Sequence, residues 1–296
     1  MKDYLLFSDS SCDLPESLIH EHNIQLIPFY VSFDRDKYYK ENIDITNEAF
    51  YDALTSKHLF ANTSLPSVQD YINMFRPAIK AGYDIICLCL SQKFSGSYQS
   101  AVNAKQILDE QYTNCTIQII DSIQATAGQG LLLLQMAKMK KSGLQIGEVV
   151  ERVNRIKSTA RIMFTLDTLE YLTRGRRIGK VVSLAKELMG LKPLIQLKDT
   201  ELIPYSNIRG RKNSLDKVYE MMVEYFTESN ESPSGYDFCI VNATTTKDAQ
   251  TLQKLVEQYL GRDIVYPVFQ IGVTIGTYTG PGAIGICFIK KYEKEG

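Results

Sequence analysis

The stretch Ile85-Ile86-Cys87-Leu88-Cys89-Leu90 consists of six consecutive apolar residues without alternation of polar and apolar positions. Successive side chains of a strand point to opposite faces of a sheet, so this run predicts a strand that is covered on both faces. Strands of that kind are typical of parallel sheets flanked by helices. We therefore expect the run to lie inside such a sheet.

Helical and strand-like segments alternate on both sides of this run. A capping box of Ser67 and Asp70 predicts the start of the preceding helix, and the segment 96–111 predicts the following one. The other segments of the first half are predicted strands at 4–8, 25–33 and 116–120 and predicted helices at 16–22, 46–54, 125–141 and 148–157. The alternation predicts an α/β fold that begins with a parallel sheet flanked by helices.

The second half continues the alternation, and a length of 296 residues suits two domains. Its predicted strands are 162–165, 192–197, 202–205, 238–242, 264–270 and 283–289, and its predicted helices are 214–227 and 246–260. We expect two α/β domains, residues 1–158 and 159–296, with a crevice at their interface. Loops that leave the carboxyl ends of parallel strands line such crevices, here residues 9–14, 91–97 and 121–128.

The stretch 264–288 contains no charged residue and could be mistaken for a membrane span. Pro267, Pro281 and five glycines would interrupt a helix long enough to cross a bilayer. We therefore expect no membrane span and predict two buried strands joined by a glycine-rich loop. Transient contact with a membrane surface stays open.

The charged residues nearly cancel, with 33 basic and 34 acidic side chains and a net charge of −1. This balance argues against a protein whose whole surface binds nucleic acid. Between Arg152 and Lys212, however, 14 Lys or Arg accompany 5 Asp or Glu, a local balance of +9. That segment predicts either a docking surface for an anionic partner or a solvated face paired with acidic groups.

The six cysteines form no Cys-x-x-Cys pair and are too sparse for a disulfide framework. We expect reduced, mostly buried thiols. The three histidines do not support a zinc site or a histidine-dependent triad, so no metal ligands or catalytic residues are predicted. The chain starts with a short apolar strand rather than the longer apolar region of a signal peptide, which predicts a cytoplasmic protein.

Hydroxyl-rich and glycine-rich segments fall at the predicted crevice. They are Asp9-Ser10-Ser11, Thr63-Ser64-Leu65-Pro66-Ser67, Ser91 to Ser97, Asp121-Ser122 and Thr277-Tyr278-Thr279-Gly280-Pro281-Gly282. Hydroxyls and free N–H groups before a helix suit a carboxylate or phosphate, although ordinary helix capping uses the same residues. Neither a phosphate-binding P-loop nor a Gly-x-Gly-x-x-Gly dinucleotide motif is present, so no cofactor is expected.

Six motifs in order along the chain resemble the DegV family. They are Asp9-Ser-Ser-Cys-Asp-Leu-Pro15, Thr63-Ser-Leu-Pro-Ser67, Ser95-Gly-Ser-Tyr-Gln-Ser-Ala101, Thr168-Leu-Glu-Tyr-Leu172, Arg209-Gly-Arg-Lys212 and Gly276-Thr-Tyr-Thr-Gly-Pro-Gly-Ala283. The resemblance implies two α/β domains with a long-chain fatty acid bound in a tunnel. It also implies a carrier, without catalysis of its own, that presents the carboxylate to a separate bacterial fatty acid kinase for acyl-phosphate formation.

The resemblance also implies which residues bind the ligand. The family's carboxylate-binding threonine falls on Thr63 and its carboxylate-binding serine on Ser95. Family members usually carry histidine where Tyr278 stands, and tyrosine keeps a hydroxyl donor but loses a group that titrates near neutrality. Three neighbours in these loops complete the predicted ligand site: Ser64, Gly96 and Thr279.

Two arginines at family positions, Arg177 and Arg209, are expected with neighbouring Arg174 to meet the kinase or the transferred phosphate. The alternative is that they form internal salt bridges. Where the family commonly has Gly-Gly-Arg, this chain has Gly175-Arg176-Arg177, which places a bulky side chain where glycine conformations are preferred.

Besides the carrier, two hypotheses from other classes remain. One is a phosphotransferase or hydrolase that acts at the hydroxyl-rich crevice, although its serine would need an activating base and no histidine lies in a matching motif. The other is a nucleic-acid contact by the basic segment, which lacks interleaved aromatic residues. We expect a monomer with a long-chain fatty acid and a fatty acid kinase as partners, and no nucleic acid.

Overall fold

A computed structural model describes residues 2–185 and 190–294. Lys186 and Glu187 of the basic segment lie outside the described residues. The strands, numbered along the chain, are β1 (Tyr4–Asp9), β2 (Gln25–Ile27), β3 (Tyr30–Ser32), β4 (Tyr39–Lys40), β5 (Asn62–Ser64), β6 (Asp84–Cys89), β7 (Ile117–Asp121), β8 (Arg161–Thr165), β9 (Leu191–Lys198), β10 (Glu201–Arg209), β11 (Tyr236–Asn242), β12 (Phe269–Gln270) and β13 (Ile284–Lys290). The α-helices are α1 (Glu16–Glu21), α2 (Asn47–Thr55), α3 (Val68–Lys80), α4 (Ser97–Gln111), α5 (Thr126–Lys141), α6 (Ile146–Ile156), α7 (Glu170–Arg174), α8 (Arg211–Ser229), α9 (Thr246–Leu260) and α10 (Val273–Thr279).

The first sheet has the order β2-β1-β6-β7, and all of its strands are parallel. Strand β6 is buried on both faces because Ile85 and Cys87 pack in one apolar cluster with α3 and α4, whereas Ile86 and Leu88 belong to another with α5. The predicted parallel sheet flanked by helices is confirmed. The capping box of Ser67 and Asp70 at the start of α3 is also confirmed.

Helix α5 packs against both the first sheet and the second sheet of the molecule. Thirteen of its 16 residues are buried, so it is enclosed on all sides rather than amphipathic. Near its end, Gln135 Nε2 and Lys138 Nζ donate to Asp237 Oδ2 of β11, at 2.7 and 2.5 Å. The apolar cluster around α5 also includes residues from both halves of the chain. The expected domain boundary at residue 158 stays a prediction.

The second sheet has the order β10-β9-β8-β13-β11-β12. Its pairs are antiparallel except β11 with β12. The face away from α5 carries Phe238, Ile286 and Phe288 in a separate cluster with α8 and α9. The second half is thus mixed α/β, in accordance with the predicted fold class.

The prediction of one strand over 25–33 was wrong. Pro28 separates β2 from β3, because proline has no N–H to donate to a sheet ladder. Strand β2 joins the first sheet, and β3 joins a three-stranded antiparallel sheet of order β4-β3-β5. This sheet places Thr63, predicted in a loop, opposite Val31 in a strand.

The two buried strands predicted within 264–288 are only partly present. In the first of them only Phe269–Gln270 pairs with a neighbour, and Val265 is 73% exposed. Helix α10 replaces most of the predicted glycine-rich loop, so Tyr278 and Thr279 lie in its last turn. Across residues 2–185 and 190–294, none of the helices has both the length and the apolar character needed to cross a bilayer.

Candidate functional site

A pocket lies where the two large sheets and the small sheet meet. Its volume is about 1040 Å³, including the part that is open to solvent. Most of its lining is apolar and comes from both halves of the chain: Leu65, Leu90, Phe94, Ala125, Ile162, Phe164, Leu172, Leu197, Leu202, Val241, Ile271, Ile275, Ala283 and Ile284. Such a wall suits a hydrocarbon ligand.

Hydroxyl groups from three separate elements join this lining. Thr63 Oγ1 of β5 and the Tyr278 hydroxyl of α10 are 2.6 Å apart and hydrogen-bond to each other. Ser95 lies two residues before the first residue of α4, and its Oγ accepts the Ser97 N–H at 3.2 Å. The structure therefore brings Thr63, Ser95 and Tyr278 to one pocket.

Of the three other residues predicted in the ligand site, two line the pocket and one does not. Gly96 and Thr279 line the pocket. The Thr279 hydroxyl donates to the Ile275 carbonyl at 3.1 Å, so it is engaged within its own helix. Ser64 is exposed and does not line the pocket.

Arg177, expected to face a protein partner, lines the pocket. Helix α7 ends in a Schellman turn, in which Arg177 N–H donates to Leu172 O and Arg176 N–H to Thr173 O. This turn directs the Arg177 side chain toward the hydroxyl groups. Its Nε donates to Phe94 O, its Nη1 donates to Gly175 O, and its guanidinium carbon lies 5.4 Å from the centre of the Tyr278 ring.

The same turn requires a left-handed residue at position 176. Arg176 has φ +55° there, a conformation that glycine adopts more readily. The preceding Gly175 is needed for a different reason, because a Cβ atom there would overlap the Tyr278 ring, 2.5 Å from Cε1.

Many of the charges in the basic segment are paired with acidic groups. Arg174 pairs with Glu170 at 2.8 Å and lies over the Phe60 ring at 3.7 Å. Arg211 Nε pairs with Asp248 at 2.8 Å, and Arg211 Nη1 donates to Gly282 O at 2.7 Å. Arg209 is exposed at the end of β10. The docking role expected for Arg174, Arg177 and Arg209 stays a prediction.

Three buried carboxylates lie close to the pocket wall without lining it: Asp9, Asp13 and Glu41. Sequence reasoning placed the Asp9–Asp13 turn at the crevice, and it did not single out Glu41. Glu41 follows a short edge strand, and no motif marked it. Thr126 and Thr274, which do line the pocket, donate their hydroxyls to Asp13 Oδ2 and Glu41 Oε2, at 2.5 and 2.7 Å.

Asp13 and Glu41 both contact the backbone at Gly272. A Cβ on Gly272 would lie 2.6 Å from Glu41 Oε1 and 2.7 Å from Asp13 Oδ1, so only glycine leaves room between them. Burial raises the pKa of Asp13 well above its usual range, and the charge of Glu41 raises it further. Burial also raises the pKa of Glu41, while hydrogen bonds from Ser10 and Thr274 oppose that shift.

The fold and the site define a mixed α/β protein with an apolar pocket that carries hydroxyl groups and one guanidinium group. The sequence model described as an uncharacterised protein of the DegV family matches residues 5–291. The chain therefore belongs to the DegV family.

Relatives match the chain over almost its whole length. A DegV domain-containing protein of Clostridium perfringens is 32% identical, with 98% of each chain covered. A solved structure of a stearic acid-binding protein from Eubacterium ventriosum is 34% identical and has a TM-score of 0.92, with 98% of this chain and 99% of that chain covered. The structure of DegV from Bacillus subtilis, described as a fatty acid-binding protein, is 25% identical and has a TM-score of 0.83. The match covers 98% of this chain and 100% of that chain.

Proposed function

We propose that this protein is a cytoplasmic carrier that binds a long-chain fatty acid and presents its carboxylate to a separate fatty acid kinase. The acyl chain lies along the apolar wall of the pocket. The carboxylate lies among Thr63, Ser95 and Tyr278, beside the Arg177 guanidinium. The kinase converts this carboxylate to an acyl phosphate, and the carrier supplies no catalytic group.

The main support is the contact of 2.6 Å between Thr63 Oγ1 and the Tyr278 hydroxyl. One of these hydroxyls must act as acceptor when they bond to each other, but both can donate when a carboxylate lies beside them. Bonds of this kind to a charged group are about twice as strong as neutral ones. Within the described residues, Arg177 Nη2 has no hydrogen-bond partner, so it is available to the same anion.

The apolar wall supports a long acyl chain. About 15 methylene groups at ~0.8 kcal/mol each contribute about 12 kcal/mol before the losses from ordering the ligand. Hydrocarbon burial would therefore dominate affinity, and the polar groups would select the head group. The fatty acids bound by the Eubacterium ventriosum and Bacillus subtilis relatives support the same ligand class.

The alternative of a phosphotransferase or hydrolase requires a base beside a nucleophile. No histidine, lysine, aspartate, glutamate or cysteine is among the described residues that line the pocket, so the usual general bases are not at its wall. This composition favours binding over catalysis.

The decisive experiment is native mass spectrometry of the purified protein, followed by lipid extraction. We expect one fatty acid per chain, and acyl phosphate when a fatty acid kinase and ATP are added. Protein that carries no lipid and binds no added fatty acid would refute the carrier function. Turnover of an acyl or phosphoryl substrate by the protein alone would instead favour the enzyme hypothesis.

A further inference from the structure

The turn after β1 is the first motif of the chain, yet its residues do not line the pocket. Asp9, Ser10 and Ser11 are buried, with at most 3% of each exposed. The acidic group Glu41, which is 1% exposed, joins them through the Ser10 hydroxyl at 2.5 Å. Two carboxylates of this group are bonded to the elements that carry the head-group residues.

Glu41 determines where helix α10 begins. Its Oε1 accepts the Thr274 N–H at 2.8 Å, and its Oε2 accepts the Thr274 hydroxyl at 2.7 Å. Tyr278 follows Thr274 by four residues, so it lies one turn further along the same face of the helix. The position of the Tyr278 hydroxyl therefore depends on the bonds to Glu41.

Asp9 has the equivalent relationship to the segment before α4. Its Oδ2 accepts the Leu90 N–H and the Ser97 hydroxyl, both at 2.8 Å. Ser97 in turn donates its N–H to Ser95 Oγ. The other oxygen of Asp9, Oδ1, accepts hydrogen bonds from Ser11 and Gln129, at 2.6 and 2.9 Å, so donors engage both oxygens.

We propose that Asp9 and Glu41 are positioning residues that make the pocket selective for a carboxylate head group. This inference rests on the proposed function. An ionised carboxylate only accepts hydrogen bonds, so it orders several donors at once. An amide in its place turns one acceptor into an NH₂ group, which cannot accept from the donors at that position. In Glu41→Gln the lost donor belongs to Thr274 on either side, and in Asp9→Asn the NH₂ group faces either Leu90 and Ser97 or Ser11 and Gln129. The hydroxyls of Ser95 and Tyr278 would then no longer converge.

The test compares two ligands that have the same hydrocarbon chain and different head groups, octadecanoic acid and 1-octadecanol. Asp9→Asn and Glu41→Gln are measured beside Asp237→Asn, a matched control. Asp237 is 4% exposed and is bonded to Gln135 and Lys138, away from the pocket. Affinities come from displacement of a fluorescent fatty acid, and thermal melting shows how far each variant is destabilised.

We expect wild-type protein to prefer the acid to the alcohol by at least tenfold. Asp9→Asn and Glu41→Gln should reduce this ratio at least threefold and leave the affinity for 1-octadecanol within twofold. Asp237→Asn should lower the melting temperature and leave the ratio unchanged. If either carboxylate variant does not fold, Ser97→Ala or Ser10→Ala replaces it, because each removes a hydroxyl donor and keeps the carboxylate.

The possible failures are distinct. A wild-type ratio near one would overturn the head-group assignment and this inference with it. A normal wild-type ratio that persists in folded Asp9→Asn and Glu41→Gln, or in both serine variants, would overturn the positioning role alone. An equal loss of selectivity in Asp237→Asn would also overturn it, because general destabilisation would then be the cause.

Discussion

The ring of Tyr278 lies in the space that a side chain at Gly175 would occupy, so helix α10 and the end of helix α7 approach closely at this point. The Gly175 carbonyl also accepts a hydrogen bond from Arg177 Nη1. The Tyr278 ring and the Arg177 guanidinium therefore both contact Gly175. This relationship connects the helix packing to the chemistry of the pocket.

Thr63→Val combined with Ser95→Ala should weaken fatty-acid binding and leave the fold intact. Each of the two substitutions removes a hydroxyl that donates to a partly buried carboxylate. A hydrogen bond to a charged group contributes about 1.5 to 3 kcal/mol to the free energy of binding. Competition binding of octadecanoic acid measures the loss. Ser64→Ala is the control, because Ser64 does not line the pocket. Wild-type affinity in the double variant would show that the carboxylate lies elsewhere.

Tyr278→Phe should reduce fatty-acid affinity by about tenfold or less, because it removes one donor and keeps the ring that packs on Gly175. Tyr278→His should be tolerated, since an imidazole also offers an N–H donor at this position. Both variants are measured in the same competition assay. Loss of all lipid binding in Tyr278→His would mean that this part of the pocket differs from the family's arrangement.

Gly175→Ala and Arg176→Gly should change stability in opposite directions. The added Cβ at position 175 overlaps the Tyr278 ring, and overpacking of this kind costs about 1–3 kcal/mol. Arg176→Gly relieves a left-handed residue at an exposed position, which should stabilise the fold by about 0.5–1 kcal/mol after the greater entropy of unfolded glycine is deducted. Urea unfolding of both variants checks the signs, and destabilisation by Arg176→Gly would contradict this account of the turn.

Asp13→Asn should flatten the dependence of stability on pH. The pKa of Asp13 is raised by burial and by Glu41, so the folded state binds its proton more tightly than the unfolded state, where the pKa is about 3.9. The contribution of this group is therefore largest below pH 4 and is lost as the pH rises toward the folded pKa. Asparagine keeps the neutral form and tolerates the left-handed φ of +51° at this position.

The measurement for Asp13→Asn is the free energy of unfolding by urea at pH 5, 7 and 9. Wild type should lose stability relative to the variant as the pH rises. Equal pH slopes in the two proteins would mean that Asp13 does not retain its proton on folding.

Arg209→Ala should slow acyl-phosphate formation with added kinase and leave lipid affinity nearly unchanged, because Arg209 is exposed and hydrocarbon burial dominates affinity. Arg177→Ala should affect both quantities, since Arg177 lines the pocket. Rates at two salt concentrations test the electrostatic contribution, with Lys254→Ala, at an exposed position of α9, as control. Unchanged phosphorylation in both arginine variants would refute the docking role.

Local sequence determined the elements that depend on near neighbours. The apolar run from Ile85 to Leu90 indicated a strand covered on both faces, and Ser67 with Asp70 indicated the start of α3, because side-chain periodicity and capping act over a few residues. The order of six motifs determined the family, and Thr63, Ser95 and Tyr278 were singled out from it. These three residues do lie together at one pocket.

Tertiary structure alone decided the rest, because the deciding contacts join residues far apart in the chain. Thr63 meets Tyr278 across 215 positions, and Glu41 meets Thr274 across 233. The same packing turned the expected glycine-rich loop into helix α10, directed Arg177 into the pocket and buried the turn after β1. Local sequence patterns indicate which face of an element is apolar, but they do not indicate which distant element covers that face. In this protein the covering elements determine where the hydroxyls and the guanidinium converge.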